Sequence, residues 1–209
     1  MIFDLDGTLL NSTDAILESF RLAAEALGLD IDLEEVRRSL GMPSRAILER
    51  SLRSAADEGA LERFLELRRE LHNQLVLKCE LFEDAVPTLR DLRSRGLLLA
   101  LASSNRRGRL EAVLERHGLS ALFDAVVSYE DVRRGKPHPD MVLKVLEELG
   151  VRPDEAVMVG DAESDVLCAR RAGVRAVLID RSGSLSHVGE DFRVRSLREL
   201  VELIDSLDC

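Results

Sequence analysis

The chain has 209 residues, 45% of them hydrophobic and 33% charged, a balance that suits a soluble globular protein with a sizeable core in one large domain or two unequal ones. Its formal net charge of -10 would repel a phosphate backbone, so nucleic acid is not an expected partner. No apolar run approaches the roughly 20 residues that cross a bilayer. No signal peptide is visible, and Cys79, Cys168 and Cys209 are spaced for neither a disulfide framework nor a zinc site, so the expected setting is cytoplasmic, with no membrane partner.

The first apolar run, Ile2–Leu5, is short and lacks polar alternation, as expected of a strand buried on both faces. It runs into Asp4-Leu5-Asp6-Gly7-Thr8-Leu9, and in an extended chain the Asp4 and Asp6 carboxylates face the same way. An isolated Asp-x-Asp is most often an acidic turn. Gly7 and Thr8 shift that reading, because a flexible loop with exposed backbone N–H groups can approach an anion closely.

From Ser12 to about Glu80 the pattern changes: no run resembles a strand, and apolar residues recur at helical spacing, as in Ile16/Phe20/Ala23/Leu27 before Gly28 and Leu61/Phe64/Leu65/Leu71/Leu75. This predicts a helical insertion. It leaves the sheet just after the first strand, at the edge where ligands bind in such folds, which is the place for a lid.

The second strand is predicted at Leu97–Ala102 and ends in Ser103-Ser104-Asn105, a polar loop that offers a hydroxyl and backbone donors. The third, Ala125–Val127, is followed by Gly135-Lys136-Pro137-His138-Pro139-Asp140, where prolines hold a cation out of helix. A lone lysine is usually solvated; here a fixed cation would balance carboxylates and neutralise a transferring phosphoryl group. The fourth strand, Ala156–Gly160, leads to Asp161 and then Asp165. Either residue alone would be taken for a helix cap. Two acidic clusters at two strand ends repel each other, however, and a divalent cation between them resolves the repulsion; Mg²⁺ suits hard oxygen ligands and a phosphate oxygen.

A fifth strand is expected at Ala176–Ile179, and the helical patterns Leu110/Val113/Leu114/His117, Val142/Val145/Leu146/Leu149 and Val166/Leu167/Ala169/Arg170 stop at Gly118, Gly150 and Gly173. Ser196 and Glu199 form a capping box ahead of Leu200, Ile204 and Leu207, so the chain is expected to end in a helix. Alternating strands and helices predict a doubly wound, Rossmann-like α/β core of parallel strands over residues 1–11 and 81–209, with an α-helical cap inserted at 12–80.

In this order and at these strand ends, Asp4-x-Asp6-Gly7-Thr8, Ser103, Lys136 and Gly160-Asp161-x-x-x-Asp165 resemble the four motifs of the haloacid dehalogenase superfamily. The resemblance covers the whole chain and is strongest to the phosphoglycolate phosphatase and β-phosphoglucomutase branch. It implies that Asp4 is the nucleophile, forming an aspartyl-phosphate, and that Asp6 protonates the leaving oxygen and then deprotonates water. It places Mg²⁺ on Asp4, Asp161 and the backbone carbonyl of Asp6, with Asp165 acting through water or by orienting its neighbours. Gly7, Thr8, Ser103, Ser104 and Lys136 would surround the phosphoryl oxygens, the backbone N–H groups of Gly7 and Ser104 among the donors.

The implied activity is Mg²⁺-dependent hydrolysis of a small phosphate monoester, phosphoglycolate or a sugar phosphate, by a monomer or homodimer. A phosphosugar mutase and a catalytically inactive module that binds phosphometabolites are the alternatives. Asp6 argues against dehalogenation, since the dehalogenases carry an aromatic residue there. Lys78, the lone lysine between Ser12 and Glu80, is a poor match to the Schiff-base lysine of phosphonoacetaldehyde hydrolases. Met1 alone precedes the first strand, a shorter lead-in than the family usually carries, and Asn11 stands where relatives often have Asp. Gly41-Met42-Pro43-Ser44-Arg45 resembles the substrate-facing cap loop, where Arg45 could bind a carboxylate or second phosphate bidentately. Arg106, Arg107 and Arg109 either rim the site or form a charged helix face, the second being the expectation. His138 is expected in a turn, and His72 and His117 on helix faces.

Overall fold

The computed structural model describes residues 1–40, 42, 44–183 and 185–207. The chain divides into two units, Met1–Leu10 with Leu81–Cys209, and Asn11–Glu80.

The first unit is built on six parallel strands: β1 (Ile2–Phe3), β2 (Ala100–Ala102), β3 (Ala125–Val127), β4 (Val157–Gly160), β5 (Arg175–Ile179) and β6 (Phe192–Val194). Their order across the sheet is β3-β2-β1-β4-β5-β6. The winding reverses between β1 and β4, and in a sheet of this kind the crevice beyond the carboxyl ends of those two strands is the place where a ligand binds. Both acidic segments of the sequence leave the sheet there.

Parallel strands covered on both faces must be apolar on both, and Ile2, Phe3, Leu101, Met158, Val159, Val177 and Leu178 are all buried. Ile2, Ala100, Ala102, Met158, Ala176 and Leu178 share one face, packed against Val142, Val145, Val166 and Ala169 of α7 (Asp140–Leu149) and α8 (Glu163–Arg171). Alternate residues such as Phe3, Leu101 and Val159 point to the other face by the two-residue period of a strand. The remaining helices of this unit are α5 (Ala85–Ser94), α6 (Arg107–Arg116) and α9 (Leu197–Leu207), of which α5 and α9 pack together.

Four local differences from the sequence expectation have physical reasons. The second strand begins at Ala100 rather than Leu97, because the Leu97 N–H closes the end of α5 by donating to Leu92 O at 3.2 Å. Strand β6 escaped notice because it is a three-residue edge strand whose middle residue, Arg193, is exposed, so it carries neither a continuous apolar run nor enough alternation to register. Helix α5 carries Pro87 in its first turn, where a proline removes no intrahelical hydrogen bond. The Ser196 box is half formed: its hydroxyl accepts from Glu199 N at 3.2 Å, while the Glu199 carboxylate reaches back to Arg195 N at 2.7 Å.

The second unit is helical, with α1 (Thr13–Leu27), α2 (Leu33–Arg38), α3 (Ser44–Ser51) and α4 (Glu58–Val76). Asp32 and Asp57 begin α2 and α4 by accepting backbone N–H bonds from Glu35 and Ala60, satisfying donors that a helix start leaves orphaned. Phe20, Ala23, Val36, Ile47, Leu48 and Phe64 form its core, with the Phe20 and Phe64 rings 5.7 Å apart. The long helices α1 and α4 pack along each other, as the spacing of their apolar residues predicts. Among the described residues, no helix is long and apolar enough to cross a membrane.

Candidate active site

Asp4 continues the β1 ladder by one bond, its N–H donating to Val159 O at 2.9 Å, and the chain then leaves the sheet through Asp6 and Gly7. Strand β4 delivers Gly160 and Asp161 beside it, and Asp165 lies in the first turn of α8. Among the described residues, Asp4, Asp161 and Asp165 offer carboxylate oxygens that all lie within 4.8 Å of one another.

The cation in this cluster is Lys136. Its Nζ lies 2.7 Å from Asp4 Oδ1 and 2.5 Å from Asp165 Oδ1, and its side chain is 3% exposed. Burial works against the ammonium, but Asp165 and Asp4 outweigh it and hold the Lys136 pKa above the usual lysine value. Burial raises Asp4 to about 7, with Lys136 pulling down and Asp165 pushing up. Asp161 is raised well above the carboxylate range by burial and by the charges of Asp4 and Asp165.

Three carboxylates sharing one lysine are short of positive charge, and all their donors are hard oxygens. That donor set fits Mg²⁺. The carboxylate of Asp6 is turned elsewhere, so Asp6 would join such an ion through its backbone.

Asp6 is gripped from β2 and α6. Asn105 Nδ2 donates to Asp6 Oδ2 at 2.6 Å and to Ser103 Oγ at 2.9 Å, and Arg109 Nη2 lies 3.0 and 3.1 Å from the two Asp6 oxygens. Ser103 is fixed in the sheet by its N–H bond to Val127 O at 3.0 Å. Ser104 is exposed at the same loop. Thr8 Oγ1 donates to Asp161 Oδ1 at 3.4 Å, a long bond that still ties the two strand-end loops together.

Two glycines make the cluster possible. Gly7 has φ +80, and a Cβ there would overlap the Asp161 carboxylate; a Cβ on Gly160 would overlap the Asp165 side chain. The Gly7 N–H, expected as a phosphate donor, is committed to Leu10 O at 2.9 Å, because the tight turn that brings Gly7 against Asp161 closes on that bond. Asp165 also caps its own helix by accepting from Ala162 N at 3.1 Å, so the capping and cluster readings of this residue hold together.

A haloacid dehalogenase-like hydrolase family profile matches residues 1–179, a span that includes every strand-end segment just described. The chain belongs to that family. The phosphoglycolate phosphatase of Aquifex aeolicus is 31% identical over 208 residues, covering 99% of this chain and 96% of the relative. Pyrophosphatase PpaX of Anoxybacillus flavithermus is 30% identical over 209 residues, covering 98% and 95%. Among solved structures, CbbY from Rhodobacter sphaeroides in complex with phosphate superposes with a TM-score of 0.75 at 25% identity, covering 95% of this chain and 94% of that one. The chain is therefore a hydrolase on an α/β fold shared with its structural neighbours.

The hydrolase brings Asp4, Asp6, Thr8, Ser103, Lys136, Asp161 and Asp165 to one sheet edge. Arg45 lies in the helical unit, where it pairs with Glu49 at 2.8 Å and Glu58 at 2.7 Å and is 45% exposed; Gly41 and Pro43 of its loop lie outside the described residues. His138 forms the expected turn, its N–H donating to Gly135 O at 3.0 Å. The sequence did not single out Asn105, and it favoured a charged helix face for Arg109. Arg106 and Arg107 do take that role, pairing with Glu130 and Asp131. Arg109 differs by two positions, which turns its side chain about 200°, a little over half-way round the helix, from Arg107.

Proposed function

We propose that the protein is a Mg²⁺-dependent phosphatase that hydrolyses a small phosphate monoester through an aspartyl-phosphate on Asp4. The observation that carries this is the Asp4–Asp161–Asp165 cluster tied by Lys136, with Asp6 held two residues from Asp4. Lys136 holds Oδ1 of Asp4, which leaves Oδ2 to attack phosphorus as the ester P–O bond breaks. Asp6 gives its proton to the departing oxygen. It then takes a proton from the water that attacks the aspartyl-phosphate, restoring Asp4 and freeing inorganic phosphate.

Mg²⁺ held by Asp4, Asp161 and the Asp6 carbonyl, with Asp165 beside them, would neutralise charge on the phosphoryl group in flight. The Ser103 hydroxyl accepts from Asn105, so its own proton can be donated to a phosphoryl oxygen. The Ser104 N–H and the loop around Thr8 supply further donors. The names of the relatives, a phosphoglycolate phosphatase and a pyrophosphatase, support phosphoester or phosphoanhydride hydrolysis. The helical unit is read as the cap of the enzyme.

The test is a panel of phosphorylated metabolites assayed for inorganic phosphate with Mg²⁺ and with EDTA. Release of phosphate that EDTA abolishes is the expected result. With β-glucose 1-phosphate as substrate, formation of glucose 6-phosphate in place of phosphate would establish a mutase instead.

A further inference from the structure

We infer that Arg181, two residues beyond β5, is a positioning residue for the metal site: it holds the Gly7-Thr8 turn, and through that turn the Asp161 carboxylate. The inference rests on the reading of Asp4 and Asp161 as Mg²⁺ ligands.

The loop after β1 closes on itself. Leu9 N and Leu10 N both donate to Leu5 O, at 3.0 and 2.8 Å, and Gly7 N donates to Leu10 O at 2.9 Å. The Thr8 carbonyl stands outside this set of bonds, and because Thr8 is fully buried its oxygen needs a donor from elsewhere in the fold. Arg181 Nη2 supplies that donor at 3.0 Å. Strand β4 separates β5 from β1 in the sheet, so the bond takes a long side chain that reaches from one strand end past the next. Thr8 also meets the metal cluster: its hydroxyl donates to Asp161 Oδ1 at 3.4 Å, and Gly7 before it lies so close to the Asp161 carboxylate that a Cβ would overlap it. Backbone and side chain of one residue thus join Arg181 to Asp161.

Arg181 is itself held in place. Its Nη1 and Nη2 lie 3.1 and 3.0 Å from the two oxygens of Asp84, a bidentate pair, and its guanidinium carbon lies 3.6 Å from the centroid of the Phe82 ring. Asp84 Oδ2 also accepts from Leu197 N at 2.8 Å, where α9 begins. Phe82 N donates to Leu9 O at 2.9 Å, so the segment that carries the pair is tied by its backbone to the loop that Arg181 bonds. The Arg181 and Asp84 side chains are 22% and 10% exposed, and a planar guanidinium fixed in this way presents its donor to Thr8 at one point. Neutralising Asp84 would take the bidentate pair alone. The further bond to Thr8 is what connects the network to the site.

The experiment compares Mg²⁺ affinity, by titration calorimetry below the melting temperature of each protein, for wild type, Arg181→Met, Arg181→Lys and Asp84→Asn. Arg181→Met, which keeps much of the length without a donor, is expected to weaken Mg²⁺ binding by roughly 10-fold or more, the scale on which partners of metal ligands act. The Mg²⁺ concentration for half-maximal hydrolysis of p-nitrophenyl phosphate should rise in step. Arg181→Lys keeps a charge for Asp84 but has no fork to bond Thr8 at the same time, so it should melt close to wild type and still lose about 3-fold or more in Mg²⁺ affinity. Asp84→Asn keeps an oxygen for Arg181 to hold, so it should melt lower than wild type yet bind Mg²⁺ within about 3-fold of it.

Wild-type Mg²⁺ affinity in Arg181→Met or in Arg181→Lys would overturn the inference, leaving Arg181 an anchor for Asp84 and α9 alone. So would a loss in Asp84→Asn as large as that in Arg181→Met, since general loosening would then explain both. A wild type that binds no Mg²⁺ would instead overturn the metal reading.

Discussion

Gly7 lies with its bare Cα against the Asp161 carboxylate, so a glycine on the β1 loop sets the position of an acid delivered by β4. Gly7→Ala meets both a backbone angle of +80 and an overlap with that carboxylate. The expected result is a loss of about 2–4 kcal/mol of stability, together with weaker Mg²⁺ binding measured by titration calorimetry. Retention of wild-type Mg²⁺ affinity by the variant would show that Asp161 does not depend on this contact.

Lys136 joins Asp4 to Asp165 in a buried triad, and removing the lysine leaves two carboxylates facing each other without a cation. Lys136→Met is expected to cost about 3–5 kcal/mol in denaturant unfolding of the metal-free protein. Mg²⁺ should recover part of that loss, because it supplies positive charge to the same oxygens.

The pH dependence of the metal-free protein follows from Asp4, whose pKa is raised to about 7 by burial. A carboxyl raised on folding binds more protons in the native than in the unfolded state between its ordinary value, about 4, and 7. Stability contributed by Asp4 is therefore greatest at low pH and declines as pH rises through that window. Asp161, raised in the same direction, adds to the decline. Mg²⁺ binding needs both groups ionised, so the upward shift in melting temperature that Mg²⁺ produces should be larger at pH 8 than at pH 6. A smaller shift at pH 8 would contradict the assignment of these two acids to the metal.

Glu190 behaves in the opposite sense. Burial would raise it, but the N–H groups of Val188 and of Glu190 itself, together with Arg193 and His187, outweigh burial and lower it to about 2. Its stabilising share is complete above the ordinary carboxylate pKa and is lost as pH falls toward 2. Glu190→Gln should cost about 1–3 kcal/mol at neutral pH, and the gap to wild type should narrow on acidification.

Most of what positions the site was legible in the chain because it is local. Strand runs without alternation, glycines after helical stripes and acids at strand ends each leave a mark within a few residues. The parallel sheet and the gathering of Asp4, Lys136, Asp161 and Asp165 at one edge follow from those marks once the strand order is known. What was not legible depends on direction around a helix or on a turn's internal bonding. Arg106, Arg107 and Arg109 look equivalent in sequence, yet Arg109 pairs with Asp6 while Arg106 and Arg107 face Glu130 and Asp131. Gly7 offered an N–H on paper that the turn had already given to Leu10. Strand β6 was lost because an exposed edge relaxes the demand for apolar residues that makes the inner strands visible.

The central claim is that Asp4 is the nucleophile, and Asp4→Asn tests it most directly. Asparagine preserves the shape of the side chain but removes the charged oxygen that would attack phosphorus. With p-nitrophenyl phosphate and saturating Mg²⁺, the variant is expected to lose at least about 1,000-fold in kcat, since the covalent route is closed. Mg²⁺-dependent cleavage persisting at the wild-type rate would contradict an aspartyl-phosphate mechanism on this residue.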